Sequence, residues 1–211
     1  TTAERPSLDK MPLPMWELIN MRDYATMNLQ FSRGCPYDCE FCDITALFGH
    51  KPRLKTTEQI LQELDALYQH GWRGGVFVVD DNFIGNKAHL KKETLPAMIS
   101  WMEKHKNPFR YITEASINLA DDEELMLLMQ KAGFVTVFVG IETPSEESLK
   151  ECNKFHNVNR DMVACVKKIQ NFGMQVSGGF IVGFDSDTPS IFERQINFIQ
   201  MSGIVTAMVG M

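Results

Sequence analysis

Cysteine is scarce and odd in number. Five occur in 211 residues, three of them packed as Cys35, Cys39 and Cys42 and two isolated at Cys152 and Cys165. A disulfide framework needs cysteines in pairs and at higher density, so it is excluded as the organising principle, and the expected compartment is a reducing cytoplasm. No apolar run approaches the roughly 20 residues that span a bilayer, so no membrane segment is expected. Positive charge is short as well. Twenty-one Lys and Arg stand against 27 Asp and Glu, a net charge of -6, which argues against an extended nucleic-acid surface and for a small-molecule or lipid substrate. The start lacks both a methionine and the basic-then-apolar form of a secretion leader. Together with a final apolar run that no helix follows, it reads as a fragment of a longer chain.

What is present suits one globular domain, long enough to bury about 70% of its unfolded surface. Residues 1–27 carry Pro6, Pro12 and Pro14 and few periodic apolar positions, and they read as an extended linker or arm from an upstream domain. From residue 28 to 211 short apolar runs alternate with amphipathic stretches, the pattern of repeated strand-helix units in a parallel sheet. Strands are expected at Met27–Phe31, Val76–Val79, Arg110–Ser116, Val135–Ile141, Val176–Val182 and Ile204–Met211. The second of these reads as buried on both faces.

Helices are expected between the strands. Thr56 with Gln59 forms a capping box before a helix that closes at Gly71. A second helix over Lys91–Lys106 must place Pro96 in its first turn or kink there. Asp121 with Glu124 caps a third, closed by Gly133. A fourth opens at Asn159 and ends at Gly173, and a fifth opens at Thr188-Pro189 and ends at Gly203. Six strands and five right-handed crossovers describe either part of a barrel or an open doubly wound sheet, and in both the ligand site lies at the carboxyl ends of the strands. The cysteine loop follows the first strand and so falls on that face.

Three closely spaced thiolates satisfy three irons of a four-iron cubane and leave the fourth open for another ligand. A structural zinc site would need a fourth ligand, with His50 at a loose spacing, and closed zinc sites favour paired C-x-x-C knuckles. A redox pair at Cys39 and Cys42 leaves Cys35 without a role. Ligand count therefore favours a cluster. A zinc-stabilised interaction module and an iron-sulfur electron carrier remain as alternatives. Glu114, Ser116 and Asn118 alternate along or just beyond the third strand and line the interior together. Lys154 and Arg160 read as solvated cations, although a bound carboxylate lies within their reach. The methionines read as core filler, and His70, His89, His105 and His156 lack ligand spacing.

The stretch Cys35-x-x-x-Cys39-x-x-Cys42, with aromatic Phe41 before the third cysteine, resembles the signature loop of the radical S-adenosylmethionine superfamily. The resemblance covers about residues 28–211. It implies a partial (β/α)6 TIM-like barrel of parallel strands that lacks its last helix here. It also implies a [4Fe-4S] cluster on the three cysteines, with S-adenosylmethionine bound to the open iron and cleaved reductively to a 5'-deoxyadenosyl radical. A one-electron reductant such as a flavodoxin or ferredoxin is implied as a partner.

Asp80, Asp81 and Asn82 stand where the family carries a Gly-Gly-Glu turn that receives the cofactor's amino group. This chain departs from that pattern, but its oxygens are suited to an ammonium group. Ser116 lines the same interior, Glu142 and Thr143 resemble the ribose-binding position, and Gly179, Ile181 and Gly183 match a G-x-I-x-G pattern beside adenine. Ser186 stands where that pattern ends in glutamate. The arm over Asp9–Leu18, the loop over Ser32–Pro36, Cys42-Asp43-Ile44 and Asp80–Phe83 are most similar to members with an upstream cobalamin-binding domain, several of which are methyltransferases acting on unactivated carbons.

Overall fold

The computed structural model describes residues 5–211, so the first four residues of the expected arm lie outside the described residues. The rest of the arm is largely exposed, with a few apolar side chains laid against the core. Single 3-10 turns form at Trp16–Leu18 and Met21–Asp23, Leu8 is buried, and Trp16, Ile19 and Met21 rest against the core. Apolar side chains without a repeat can still be buried by irregular backbone, which periodicity does not detect.

The strands are β1 Thr26–Leu29, β2 Ser32–Arg33, β3 Arg53–Leu54, β4 Gly75–Val78, β5 Arg110–Glu114, β6 Phe134–Glu142, β7 Gln175–Ile181 and β8 Thr206–Gly210. The helices are α1 Ile44–Phe48, α2 Thr57–Gln69, α3 Lys87–His89, α4 Leu95–Lys104, α5 Glu123–Ala132, α6 Glu146–Glu151, α7 Met162–Asn171 and α8 Ile191–Ser202. Six strands form one sheet in the order β1-β4-β5-β6-β7-β8, every neighbouring pair parallel. β1 and β8 do not pair with each other, so the sheet is an open portion of a barrel rather than a closed one. No helix among the described residues is long and apolar enough to cross a membrane.

Local chemistry explains the elements. Thr56 and Gln59 exchange the two hydrogen bonds of a capping box at the start of α2, and Ile60, Leu64 and Leu67 bury one stripe of it. α5 is capped by Asp122, whose carboxylate accepts from the Leu125 N–H at 3.0 Å, and not by Asp121, which is held by Arg160. α7 is capped by Asp161 rather than opened by Asn159, which takes a left-handed φ of 58°. Thr188 and Pro189 form the turn before α8 and not its first residues. Pro96 lies just inside α4 and follows a π-helical turn at Leu90–Thr94. The wider turn accommodates the backbone where proline supplies no N–H.

The β2–β3 ladder is antiparallel and was not legible in the sequence, because two residues on each side carry no periodic signal. It pinches the chain on either side of the cysteine loop. Across the central strands one face is fully buried, with Val76, Val78, Tyr111, Val137, Val139 and Val176 each at 0% exposure, whereas β8 is exposed along its length. The alternate residues, Phe77, Ile112 and Phe138 among them, are only half-buried. The expectation that the strand at Val76–Val79 is covered on both faces is corrected accordingly: Val76 and Val78 are buried, whereas Phe77 and Val79 face the interior at whose end the cysteines lie and are half-buried.

Gly133 closes α5 at φ 102°, and a Cβ there would stand 3.0 Å from Met102 Cε. Gly133→Ala is therefore expected to destabilise the fold by about 1–2 kcal/mol, seen as a lower urea midpoint with an unchanged m-value. An unchanged midpoint would show that this left-handed closure is not constraining.

Candidate cofactor site at the strand ends

The loop carrying the cysteines is anchored before any ligand is considered. Asp80, just beyond β4, is 1% exposed; one carboxylate oxygen accepts from the Phe31 N–H at 2.8 Å and the other from the Ser32 hydroxyl. Asp81 accepts from the Gly34 N–H at 3.1 Å, and the Cys35 N–H donates to the Gly49 carbonyl at 3.2 Å. Two adjacent acidic residues thus fasten the chain leading into Cys35. Burial pushes the Asp80 carboxyl up to about 7, against the opposing pull of its Ser32 and Phe31 hydrogen bonds.

The thiols of Cys35, Cys39 and Cys42 line one cavity of about 160 Å³, together with Phe41 and Tyr37 of the same loop. Asp81 and Asn82 from the end of β4, and Glu114 and Ser116 from the end of β5, form a second wall. Asn82 Nδ2 donates to Ser116 Oγ at 3.2 Å, and Asn82 Oδ1 accepts from the Ser116 N–H at 3.2 Å, which ties the two strand ends together. Glu142 at the end of β6 completes the enclosure beside Phe138 and Gly140.

Glu142 takes the left-handed region at φ 63°, next to a register shift between β6 and β7. Such a conformation persists only when its surroundings hold it. Asn157 Nδ2 donates to the carbonyls of Gly140 and Ile141 at 3.1 and 3.2 Å, and Gln195 Nε2 donates to the Glu142 carbonyl at 3.4 Å. The Glu142 carboxylate pairs with Lys154 inside the cavity. A Cβ on Gly140 would lie 2.2 Å from Glu142 Oε1 and 2.6 Å from Lys154 Nζ, so the pair lies directly over that glycine.

Electrostatics follow from burial. The Cys39 thiol is pushed up to about 11 by desolvation, with Lys154 pulling the other way, and burial also raises Cys35. Without a metal these thiols hold their protons, and metal binding must release them. Glu114 is raised by burial and then by the Asp81 charge. Burial, then the Lys154 and Arg160 cations, hold the His156 imidazole down to about 3, so its ring is neutral.

Of the residues singled out from sequence, the fold brings Cys35, Cys39, Cys42, Phe41, Asp81, Asn82, Ser116 and Glu142 to this cavity. Asp80 lies outside the cavity lining, buried beneath it with its two oxygens accepting from Phe31 and Ser32. Thr143 is fully buried and its hydroxyl accepts from the Ser145 N–H, so it braces the turn after β6. Gly179 makes room for Phe138, whose Cζ would lie 2.8 Å from an added Cβ. The Ile181 carbonyl is taken by Gln195 and the Gly183 N–H by Asp187. Of these four only Gly179 adjoins a residue of the wall, and none of them lines the cavity. Where the sequence lacks a glutamate after Gly183, Glu151 of α6 accepts from the N–H groups of Asp185 and Ser186 at 2.8 and 3.0 Å.

Lys154, expected as a solvated cation within reach of a bound carboxylate, and His156, expected to have no role, both line the cavity. Each reaches it through a turn after α6, a tertiary placement with no local signal. Arg160 does not line it; its guanidinium makes a bidentate pair with Asp121 at 2.7 Å. His50 is exposed and outside the cavity lining. Among the described residues no three His, Cys, Asp or Glu side chains converge on a single metal position.

A three-thiol cavity at the carboxyl ends of a parallel sheet defines a class, and comparison names it. The pattern of the Radical SAM superfamily matches residues 29–199, and the chain belongs to that family, so its class is that of an enzyme. It is 47% identical over 208 residues to an uncharacterized methyltransferase of Synechocystis, covering 99% of this chain and 39% of that one. It is 43% identical over 205 residues to the hopanoid C-2 methylase of Rhodopseudomonas palustris, covering 97% and 38%. The chain thus spans about two fifths of these relatives. In fold it matches the radical S-adenosylmethionine methyltransferase TsrM of Kitasatospora setae, solved with cobalamin and a [4Fe-4S] cluster. The TM-score is 0.76 at 18% identity, over 87% of this chain and 34% of that one.

The Asp80 anchor carries a pH signature. An acid whose folded pKa lies above its ordinary 3.8 costs native stability as pH rises from about 4, and the loss levels off above about 7. An amide retains the geometry, accepting from Phe31 and donating to Ser32, without the charge. Relative to wild type, Asp80→Asn is expected to gain stability from pH 5 to pH 7 by up to about 1.4 kcal/mol per pH unit, measured by urea unfolding. A constant difference across that range would refute the assignment.

Proposed function

We propose that the chain is the radical-generating core of a cobalamin-dependent methyltransferase, with Cys35, Cys39 and Cys42 holding a [4Fe-4S] cluster and S-adenosylmethionine beside it. The observation that carries this reading is the gathering of all three thiols in one cavity at the strand ends, with no fourth cysteine among its lining residues. When bound, the cluster supplies one electron for reductive cleavage of the sulfonium cofactor.

The chain's own residues do the rest. Asp81 and Asn82 offer oxygen acceptors to the cofactor's ammonium group, and Ser116 fixes the Asn82 amide. Glu142 offers its carboxylate to ribose hydroxyls, and Lys154 is the adjoining cation for a carboxylate. Phe41 and Phe138 supply apolar walls that exclude water. Asp80, Thr143, Gly179, Ile181 and Gly183 support these groups rather than touching the cofactor.

In this reading residues 28–211 are the core and the arm before them leads from an upstream cobalamin domain in the whole protein. A flavodoxin or ferredoxin class of protein delivers the electron. The substrate is a small molecule or lipid, and the name of the 43% identical relative puts a hopanoid-like lipid first.

Anaerobic reconstitution of the full-length protein with iron and sulfide is expected to give a brown cluster whose electron paramagnetic resonance spectrum shifts on addition of S-adenosylmethionine. Cys39→Ala is expected to abolish both cluster and cofactor cleavage. A spectrum indifferent to the cofactor would support an electron carrier instead, and a colourless zinc adduct an interaction module. Separately, the full-length protein is expected to bind cobalamin tightly, with its characteristic visible absorption. If it binds none, methyl transfer through cobalamin is removed while the cluster reading is untouched.

A further inference from the structure

Tyr37 and His156 stack face to face in the wall of the cysteine cavity, their ring centroids 3.8 Å apart and their planes inclined by 21°. Tyr37 belongs to the cysteine loop, between Cys35 and Cys39. His156 belongs to the single turn Phe155–Asn157 that follows α6. The Tyr37 hydroxyl accepts from Asn118 Nδ2 at 2.7 Å, and Asn118 Oδ1 accepts from Ser116 Oγ at 2.7 Å, so the outer ring is tied to the end of β5.

His156 is held from the other side. Its neighbour Asn157 is bonded to the carbonyls of Gly140 and Ile141 in β6, and Lys154 is paired with Glu142. At the start of the same stretch the Cys152 carbonyl accepts from the Glu40 N–H at 3.0 Å. Residues 152–157 therefore grip the sheet with one set of groups and the cysteine loop with another.

The same two rings also border a second cavity, about 440 Å³, whose other walls are Pro36, Asp38, Asn153 and the exposed Phe155. Lining both cavities, the stacked pair stands between them.

We propose that His156 is a positioning residue for the cysteine loop, its ring stacked on Tyr37 to close the partition between the outer cavity and the thiols of Cys35 and Cys39. The purpose of this partition rests on the cluster reading, because a cluster and a carbon radical both require exclusion of solvent from that side. Its test does not depend on that reading, since access to the thiols is measurable on metal-free protein.

The metal-free full-length protein is treated anaerobically with iodoacetamide, and alkylation at Cys35 and Cys39 is followed by mass spectrometry relative to Cys165 on α7. His156→Ala is expected to raise the ratio roughly three- to tenfold, the scale of an aromatic pair's contribution to a local opening equilibrium. His156→Phe keeps a planar ring and is expected to stay within about twofold of wild type. The proposal is overturned if the alanine variant matches wild type, or if the phenylalanine variant reacts as fast as alanine. Should the alanine variant unfold, Cys165 accelerates as well. His156→Leu then fills the volume without a ring, and it is expected to show the same rise or, by matching wild type, to overturn the proposal. In reconstituted wild type and variants, loss of cluster absorbance in air is expected in the same order. A wild type that takes up no iron counts against the cluster reading alone.

Discussion

The buried carboxylate of Asp80 is the interaction on which the geometry of this site depends. A loop that must present three thiols to one cavity has few backbone hydrogen bonds of its own to hold it. Asp80 supplies an anchor from the adjacent strand, engaging the Phe31 N–H and Ser32 hydroxyl at the exit of β1, and Asp81 extends the grip to Gly34. The cost is a desolvated acid whose pKa is pushed toward neutrality. A buried charge is tolerated only where such bonds compensate it.

The opposite side of the site is held by strain and its compensation. Glu142 ends β6 in a left-handed conformation that a side chain of its kind seldom adopts, and Asn157, Gln195 and Lys154 converge to keep it there. The same short segment carries His156 against Tyr37. The cysteine loop and the strained strand end are thus braced by one turn of chain.

Between these braces lies a cavity in which polarity is unevenly distributed. Asp81, Asn82 and Ser116 gather acceptors on one wall, while Lys154 places a cation beside Glu142 and near Cys39. Phe41 and Phe138 keep the remaining wall apolar. A zwitterionic nucleotide beside a cluster needs this combination: acceptors for its ammonium group, a cation for its carboxylate and a dry surface around the reacting carbon. Membership of the radical SAM superfamily accords with that chemistry.

Much of this was legible in the chain. The parallel alternation of strands and helices follows from apolar runs and helix-closing glycines, and the cysteine spacing singles out the loop because covalent neighbours at short range must share one site. Asp81, Asn82, Ser116 and Glu142 line the cavity because each lies at or just beyond the carboxyl end of a strand. What the sequence could not decide is what depends on distant segments meeting. Asp80 and Asp81 are identical in type and adjacent, yet the turn after β4 sends one beneath the loop and the other into the cavity. Lys154 and His156 reach the cavity only when the turn after α6 folds over the end of β6, and the cap of α5 falls to Asp122 while Arg160 holds Asp121. Local spacing determined the order and type of the main strands and helices; burial and pairing between remote residues, which no local pattern encodes, decided their ends and which side chains face the thiols.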